Sequence, residues 1–334
     1  MADSPELPQA HASLHQLRTT LQSVLFGQEQ LIDLVLTGLL ARGHLLLEGL
    51  PGLGKTELVK GLSKALGLEA KRIQFTPDLL PGDITGNPML QETPQGRRFV
   101  FQPGPVFANL VLADEINRAS PKTQSALLEA MQERRVTVMG ESHPLPEPFF
   151  VLATQNPIEL EGTYPLPEAQ LDRFLFKLEV RATTAETLEK IVLNREIGVE
   201  PVVPAVMNAE SFGALLQLTR SIFMPQPVAS FIARLVHATQ PGEPHATGVK
   251  HGASPRAALA LAAGAKAKAV LEGRPNASYE DVRAIAPAVL RHRLILDYGA
   301  KIEGLTPDLV VQRLIENIPA QDKPLPTTLA AAKV

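Results

Sequence analysis

The feature that most restricts the fold of this chain is a glycine-rich loop between an apolar run and a helical pattern. Residues 44–56 read HLLLEGLPGLGKT and contain the spacing G-x-x-x-x-G-K-T. In this spacing, which defines a P-loop, glycines let successive backbone N–H groups turn toward phosphate oxygens. The leucines at 45–47 suit a strand, and the apolar spacing after the loop indicates a helix that begins near Glu57. Strand, loop and helix therefore occur in the order that a phosphate-binding α/β unit requires.

Three groups in and after this loop have a defined chemical task. Lys55 places a positive charge at the β- and γ-phosphates, and the hydroxyl of Thr56 can ligate Mg²⁺. The helix that follows adds the positive end of its dipole. A chance glycine-rich turn is the alternative, but it would not need a strand and a helix on either side. The candidate nucleotide contacts are Gly49, Pro51, Gly52, Leu53, Gly54, Lys55, Thr56 and Glu57.

A second apolar run ends in two acidic residues. Residues 110–113 read LVLA, which is typical of a strand buried on both faces, and Asp114 and Glu115 follow directly. In an open α/β sheet, ligands bind beyond the carboxyl ends of the strands. Asp114 can then hold the Mg²⁺ shell, while Glu115 orients and polarises an attacking water. Seen alone, acidic residues after a strand are usually solvated loop residues, so this assignment depends on the P-loop.

A third buried strand is predicted at residues 149–153, and the sequence TQNP follows it. An asparagine before a proline is most often part of a turn. At the tip of a core strand, the amide of Asn156 can also hydrogen-bond the attacking water or the γ-phosphate. Both interpretations of Asn156 remain open from these residues alone.

The composition disfavours several classes of protein. The 334 residues contain no cysteine, so disulfides and thiolate metal sites are impossible, and we expect a cytoplasmic location. Residues 1–11 lack the basic and apolar regions of a secretory signal, and the apolar runs are too short to cross a bilayer, so we expect no membrane association. A net charge of −3 gives no support for binding along a phosphate backbone, which makes nucleic acid an unlikely partner.

The order of the patterns predicts two domains. The expected divisions are a flexible tail over 1–12, a nucleotide-binding core over 13–182, a connecting helix and linker over 183–204, and an all-α lid over 205–334, with a loose tail after 317. In the lid, Ser254 is a predicted N-cap, and Ser278 with Asp281 forms a capping-box pattern. The fold class is therefore an α/β P-loop NTPase with an αβα sandwich, a parallel central sheet and a C-terminal helical domain.

Several further elements are predicted within the core. Residues 72–75 and 174–180 have strand patterns, and a loop rich in Pro, Asp and Gly covers 76–86. Two hairpins are expected at 88–101 and 135–146, because turn-forming residues separate short strand-like runs. These hairpins would project from the sheet.

An ordered series of segments resembles the MoxR type of AAA+ ATPase, from about Phe26 to Tyr298. The segments are GLPGLGKT (49–56), LVLADEINRASPKTQSALLEAMQER (110–134), VLATQNP (151–157), LPEAQLDRF (166–174), GASPRA (252–257) and VLRHRL (289–294). The resemblance implies an αβα core with a helical lid, assembled as a homo-oligomeric ring that is usually hexameric, with ATP and Mg²⁺ between neighbouring subunits. The two hairpins would correspond to the helix-2 insert and the pre-sensor-1 hairpin.

The resemblance also implies roles for individual residues. Asn156 matches the sensor-1 position, and Arg173 matches the arginine finger that is offered to a neighbouring subunit. From the residues alone, a surface ion pair of Arg173 with Asp172 or Glu168 is the alternative. Arg256 matches the sensor-2 arginine of the lid, and Gly27 and Gln28 would lie beside the adenine. A planar guanidinium suits the charge spread over γ-phosphate oxygens in a loose transition state, and an arginine finger contributes ~10³–10⁵ in rate. Supplying Arg173 from a neighbour would make hydrolysis depend on assembly.

The implied activity is ATP hydrolysis coupled to the rearrangement or activation of a partner protein. The family resemblance adds metal or cofactor insertion, with partners that often carry von Willebrand A-type domains. One departure concerns the insert: Phe99, Phe101 and Phe107 are interpreted as hairpin core, and a pore loop of the unfoldase kind is missing, which puts polypeptide threading in doubt. The alternatives are a magnesium-chelatase-like ATPase subunit, a nucleic-acid motor supported only by arginines at the hairpin bases, and a small-molecule P-loop kinase.

Overall fold

The computed structural model describes residues 6–50, 52–93, 96–156, 162–180 and 182–321. Pro51 of the predicted phosphate loop, the hairpin tip at 94–95, Pro157 and parts of both predicted tails (1–5 and 322–334) lie outside these described residues. The chain divides into two compact units, one that ends at Arg220 and one that begins at Ser221.

The first unit contains eight α-helices among its described residues. They are α1 (Leu7–Gln22), α2 (Glu29–Leu40), α3 (Lys55–Leu66), α4 (Pro81–Thr85), α5 (Pro121–Glu133), α6 (Glu168–Leu171), α7 (Ala185–Asn194) and α8 (Ala209–Ser221), whose last residue is the first of the second unit. Its strands are β1 (Leu45–Glu48), β2 (Ala70–Gln74), β3 (Gly86–Thr93), β4 (Gly96–Pro103), β5 (Leu110–Asp114), β6 (Arg135–Val138), β7 (Glu141–Pro144), β8 (Phe150–Gln155) and β9 (Phe176–Glu179).

Five strands form the central sheet in the order β2-β5-β8-β1-β9, and every pair is parallel. The three middle strands are nearly continuous apolar runs, and residues 45–47, 110–113 and 150–153 are all buried. Strands covered by helices on both faces need this composition, which is why the sequence predicted them correctly. Because the strands are parallel, the residues after β1, β5 and β8 meet at one edge of the sheet.

The two predicted hairpins are present as β3–β4 and β6–β7. The ring of Phe101 on β4 stacks on His143 of β7 at 4.1 Å and also meets Phe107 edge to face at 5.6 Å. Phe99, in contrast, is 60% exposed, so its interpretation as hairpin core is wrong. The reason is geometric: Phe99 faces Leu90 across the ribbon, beyond the base where neighbouring elements cover it.

Three boundaries in the first unit differ from the predictions. Helix α1 begins at Leu7 with Pro8 in its first turn, and Ala10 is buried, so the predicted flexible tail is too long. Helix α4 occupies part of the predicted loop at 76–86, and it also starts with a proline. Helix α3 starts at Lys55, two residues earlier than expected, because Gly54 adopts the left-handed conformation immediately before it.

The second unit is mainly helical and contains α9 (Gln226–His237), α10 (Pro255–Leu271), α11 (Tyr279–Leu290), α12 (Tyr298–Ile302) and α13 (Pro307–Asn317). Ser254 caps α10, and Ser278 with Asp281 forms the predicted capping box of α11. Two short antiparallel strands, β10 (Val249–His251) and β11 (Ile295–Leu296), were missed.

Helix α8 was predicted to belong to the lid, but all of it except Ser221 belongs to the first unit. The ring of Phe212 lies 6.0 Å from the ring of Phe150 on β8. Within the described part of the chain, no helix is long and apolar enough to cross a membrane.

Candidate nucleotide-binding site

The glycines of the P-loop are required for two different reasons. Gly52 and Gly54 have φ angles of 80° and 79°, which side-chain-bearing residues rarely adopt. Gly49 has ordinary backbone angles, but a Cβ atom there would lie 2.8 Å from the carbonyl oxygen of Val180. Its N–H donates to the carbonyl of Gln155 at 3.3 Å, which fixes the start of the loop to the end of β8.

Lys55 lies at the start of α3 and folds back over the loop. Its Nζ donates to the carbonyl oxygen of Gly49 at 2.7 Å. Burial lowers the pKa of the Lys55 ammonium, and the nearby carboxylates of Asp114 and Glu115 oppose this shift. The half-buried ammonium and the glycine loop favour an anion at this position, whereas the two carboxylates favour a cation beside it.

Asp114 ends β5 and is held by two neighbouring strands. Its Oδ1 accepts a hydrogen bond from the hydroxyl of Thr154 on β8 at 2.6 Å. Its Oδ2 accepts from Nε and Nη2 of Arg72 on β2, at 3.1 and 2.7 Å. The carboxylate is therefore oriented by one buried hydroxyl and by one guanidinium that is half-exposed.

Glu115 follows Asp114 in a left-handed conformation with φ 56°, which turns the chain sharply after the strand. Its backbone N–H donates to the same Thr154 hydroxyl at 2.8 Å. Its Oε2 accepts from Nε2 of Gln74 at 2.8 Å and from Nη1 of Arg118 at 3.0 Å. Thr154 thus hydrogen-bonds both acidic residues. The carboxylate of Glu115 also accepts hydrogen bonds from Gln74 and Arg118.

Four residues that contact the acidic pair were not predicted as site residues from the sequence. Arg72 and Gln74 alternate on one face of a predicted strand, but only the strand order places that strand next to β5. Thr154 precedes the predicted Asn156 by two positions and shares its strand end. For Arg118, the distance of three positions from Glu115 was the only signal in the sequence.

The predicted adenine segment lies beside the P-loop. Gly27, with φ 68°, and Gln28, the N-cap of α2, connect α1 to α2. The side chain of Leu25 approaches Gly54 so closely that a Cβ on Gly54 would lie 2.9 Å from its Cδ2. Asn156 follows β8 directly and is buried. The structure therefore brings the loop, the acidic pair and Asn156 to one edge of the sheet.

The two predicted arginines occupy other positions. Arg173 is exposed after α6, and its Nη1 donates to the carbonyl of Leu128 on α5 at 3.0 Å. Arg256 is exposed in the first turn of α10, in the second unit.

The donor set of this site fits a magnesium-bound nucleotide. Gly54 has no side chain that could cap α3, so the first-turn N–H groups of that helix are available to phosphate oxygens. The hydroxyl of Thr56 and the carboxylate of Asp114 are hard oxygen ligands of the kind that Mg²⁺ binds together with phosphates and waters.

Comparison with protein families identifies both units. A model of the ATPase family associated with various cellular activities (AAA) matches residues 44–176, and a model of the AAA lid domain matches residues 244–314. The first match includes the P-loop, the acidic pair and Asn156. The second includes Arg256.

Individual proteins match over nearly the whole chain. Chaperone MoxR1 of Mycobacterium tuberculosis is 42% identical, over 96% of this chain and 89% of its own length. The uncharacterized protein YeaC of Bacillus subtilis is also 42% identical, over 92% of this chain and 95% of its own length. A crystal structure of a Cytophaga hutchinsonii protein assigned as an ATPase has a TM-score of 0.86 and 37% identity, and it covers 94% of this chain and 96% of that one.

Proposed function

The chain belongs to the MoxR family of AAA+ ATPases, and we propose that it hydrolyses ATP to remodel or activate a partner protein. The members of this family are chaperone-like ATPases, and membership therefore implies nucleotide binding. One observation best supports hydrolysis: Thr154 hydrogen-bonds both Asp114 and Glu115 and holds them close to Lys55.

In this proposal each residue has a separate task. Bound Mg²⁺–ATP supplies the electrophilic γ-phosphorus and a divalent charge that neutralises its oxygens. Lys55 would add a second positive charge at the phosphates, and Thr56 and Asp114 would hold the ion. Glu115 orients the attacking water after its carboxylate exchanges Gln74 or Arg118 for that water. Asn156, already fixed at the end of β8, hydrogen-bonds the water or the γ-phosphate.

The hydrolysis proposal is tested by two substitutions that separate binding from turnover. Lys55→Ala removes the phosphate-facing charge and is expected to abolish nucleotide binding. Glu115→Gln keeps the shape and the hydrogen-bonding capacity of the side chain, so it is expected to keep ATP binding and to lose turnover by ~10²–10⁴-fold. Lys60→Ala removes an exposed cation from the same helix and is the matched control. Normal phosphate release from the Gln variant would refute the assignment of Glu115.

We propose further that the active form is a ring, most simply a hexamer, in which Arg173 acts on the nucleotide of a neighbouring subunit. Its exposed guanidinium donates to a backbone carbonyl of α5, a neutral partner that a phosphate can replace. Arg256 would couple the same event to the lid.

Rings of Arg173→Ala subunits and rings of Glu115→Gln subunits should each be inactive. Mixed rings should recover part of the hydrolysis, because some interfaces then combine an intact Glu115 with an intact Arg173. Mixed rings without any recovery would contradict a role in trans.

The proposed partner is a protein with a von Willebrand A-type domain. The Glu115→Gln form, held in the ATP state, should retain such a partner in affinity capture, and Lys55→Ala should not. Retention by both variants would show that capture does not depend on nucleotide.

A further inference from the structure

The turn between α1 and α2, residues 23–28, is held by a single arginine from α7. Nη2 of Arg195, at the C-terminal end of that helix, donates to the carbonyl oxygen of Val24 at 2.8 Å and to that of Ser23 at 3.4 Å. The same guanidinium lies over the ring of Phe26, with Cζ 5.4 Å from the ring centre. One side chain therefore contacts three of the first four residues of this turn, and the buried Leu25 is the exception.

The opposite ends of the turn are also closely packed. A Cβ on Gly27 would lie 2.6 Å from Oγ1 of Thr187, so the glycine allows the turn to approach α7 without a clash. Leu25 is buried and points to Gly54 of the P-loop, where a Cβ would lie 2.9 Å from its Cδ2. The turn is thus placed between α7 and the phosphate loop.

We propose that Arg195 is a positioning residue for the base end of the nucleotide and that it acts through Phe26, Gly27 and Gln28. This inference rests on the proposed nucleotide-binding function. The guanidinium fixes the carbonyls of Ser23 and Val24, just after the C-terminal end of α1, where a cation also complements the helix dipole. It also fixes the aromatic ring next to Gly27. A turn held in place before binding loses less conformational freedom when a base is bound against it.

The geometry predicts that lysine replaces Arg195 only in part. A guanidinium is planar, so it can lie over an aromatic ring while its edge donates to two carbonyl groups. An ammonium group carries the charge but not this shape. Arg195→Lys should therefore give an effect between those of the native protein and Arg195→Ala.

The experiment compares a ligand that has a base with one that has none. Dissociation constants for ATP and for inorganic triphosphate are measured for the native chain, Arg195→Ala and Arg195→Lys. Lys190→Ala, which removes an exposed cation from the same helix, is the matched control. Arg195→Ala is expected to weaken ATP binding by about three- to tenfold, the size expected for the loss of one cation–π contact and one helix-end contact, and to leave triphosphate binding unchanged. The KM for ATP should rise by the same factor, with kcat within about twofold.

The outcomes separate this inference from the function on which it rests. A native chain that binds neither ligand would overturn the proposed function itself. A native chain that binds ATP, with Arg195→Ala binding it equally well, would overturn only the role of Arg195. An equal loss for ATP and triphosphate would also overturn it, because the arginine would then support the phosphate loop or the whole fold. Urea unfolding of Arg195→Ala and Arg195→Lys identifies the latter case.

Discussion

The polar groups at the two ends of the central sheet differ in their burial and in the kind of partner that binds them. At the amino end, His44 is buried directly before β1; its Nε2 donates to the carbonyl of Met131, and its Nδ1 accepts from the N–H of Val151. At the carboxyl end, Asp114 and Glu115 are partly exposed, and each carboxylate is bound by side chains of neighbouring residues. Backbone partners cannot leave without disturbing the fold, whereas side-chain partners can rotate away. The first arrangement suits structure, and the second suits a site that exchanges partners.

The largest effect that this comparison predicts is the loss of turnover in Asp114→Asn. The amide keeps the shape of the side chain and can still accept from Thr154, but it removes the negative charge of the proposed Mg²⁺ ligand. Turnover should fall by at least about 100-fold, while the free energy of unfolding changes by less than about 1 kcal/mol. Phosphate release and urea unfolding measure the two quantities. Glu69→Gln, which alters an exposed carboxylate at the opposite edge, should change neither. A large loss of stability in Asp114→Asn would remove the distinction between the two ends.

The second prediction concerns acid stability and His44. Burial lowers the pKa of His44 from 6.5 to about 4. Between these values the unfolded chain binds more protons than the folded one, so the stability falls as the pH falls from 6.5 toward 4. The loss attributable to His44 should reach about 3 kcal/mol at the acid end of this range and be absent above pH 6.5.

Urea unfolding at several pH values tests the His44 prediction. His44→Gln should be less stable at neutral pH, because a buried donor and acceptor are repositioned, but it should lack this part of the acid dependence. His15→Gln, on the exposed face of α1, should keep the native pH profile. An unchanged profile in His44→Gln would mean that other groups cause the acid loss.

Thr154 combines features of both ends of the sheet: its side chain is fully buried, but its hydroxyl binds the two acidic residues. Thr154→Val removes the hydroxyl that donates to Asp114 and accepts from the Glu115 N–H, with little change in volume. We expect about a tenfold loss of turnover and a loss of stability of about 1–2 kcal/mol. Thr154→Ser retains the hydroxyl and should recover most of both. If Thr154→Ser were as impaired as Thr154→Val, the methyl group and not the hydrogen bonds would be responsible.

The local parts of this site were predictable, and the long-range parts were not. The P-loop, the acidic pair and the buried strands are each encoded in a few consecutive residues, so their spacing identifies them. The contact of Arg72 with Asp114 joins residues 42 positions apart and depends on β2 lying next to β5. A parallel sheet can be ordered in several ways, and no single segment of sequence specifies which strands are neighbours.

A similar limit applies to exposure and to chain ends. Phe99 has the composition of a core residue, but its exposure depends on how far the hairpin extends beyond its neighbours. Ala10 lies in a segment with little apolar content, but it is buried on a helix that packs against α2 and α3. The contacts of Arg195 could not be predicted either, since its partners on the α1–α2 turn are more than 160 positions earlier in the chain.

The smallest predicted effect concerns Arg72, the half-exposed ion-pair partner of Asp114. Arg72→Met keeps an apolar stem but removes the cation that, in the proposed site, would compete with Mg²⁺ for Oδ2 of Asp114. An ion pair of this exposure is worth about 0.2–1 kcal/mol, so the Mg²⁺ concentration for half-maximal turnover should fall by up to about fivefold. Arg97→Met breaks a similar pair with Glu92, at 2.8 Å on the β3–β4 hairpin, and should leave the Mg²⁺ dependence unchanged. A rise of the Mg²⁺ midpoint in Arg72→Met would reverse the interpretation: the arginine would then orient the carboxylate for the ion, and the carboxyl end of the sheet would be more rigid than its side-chain contacts suggest.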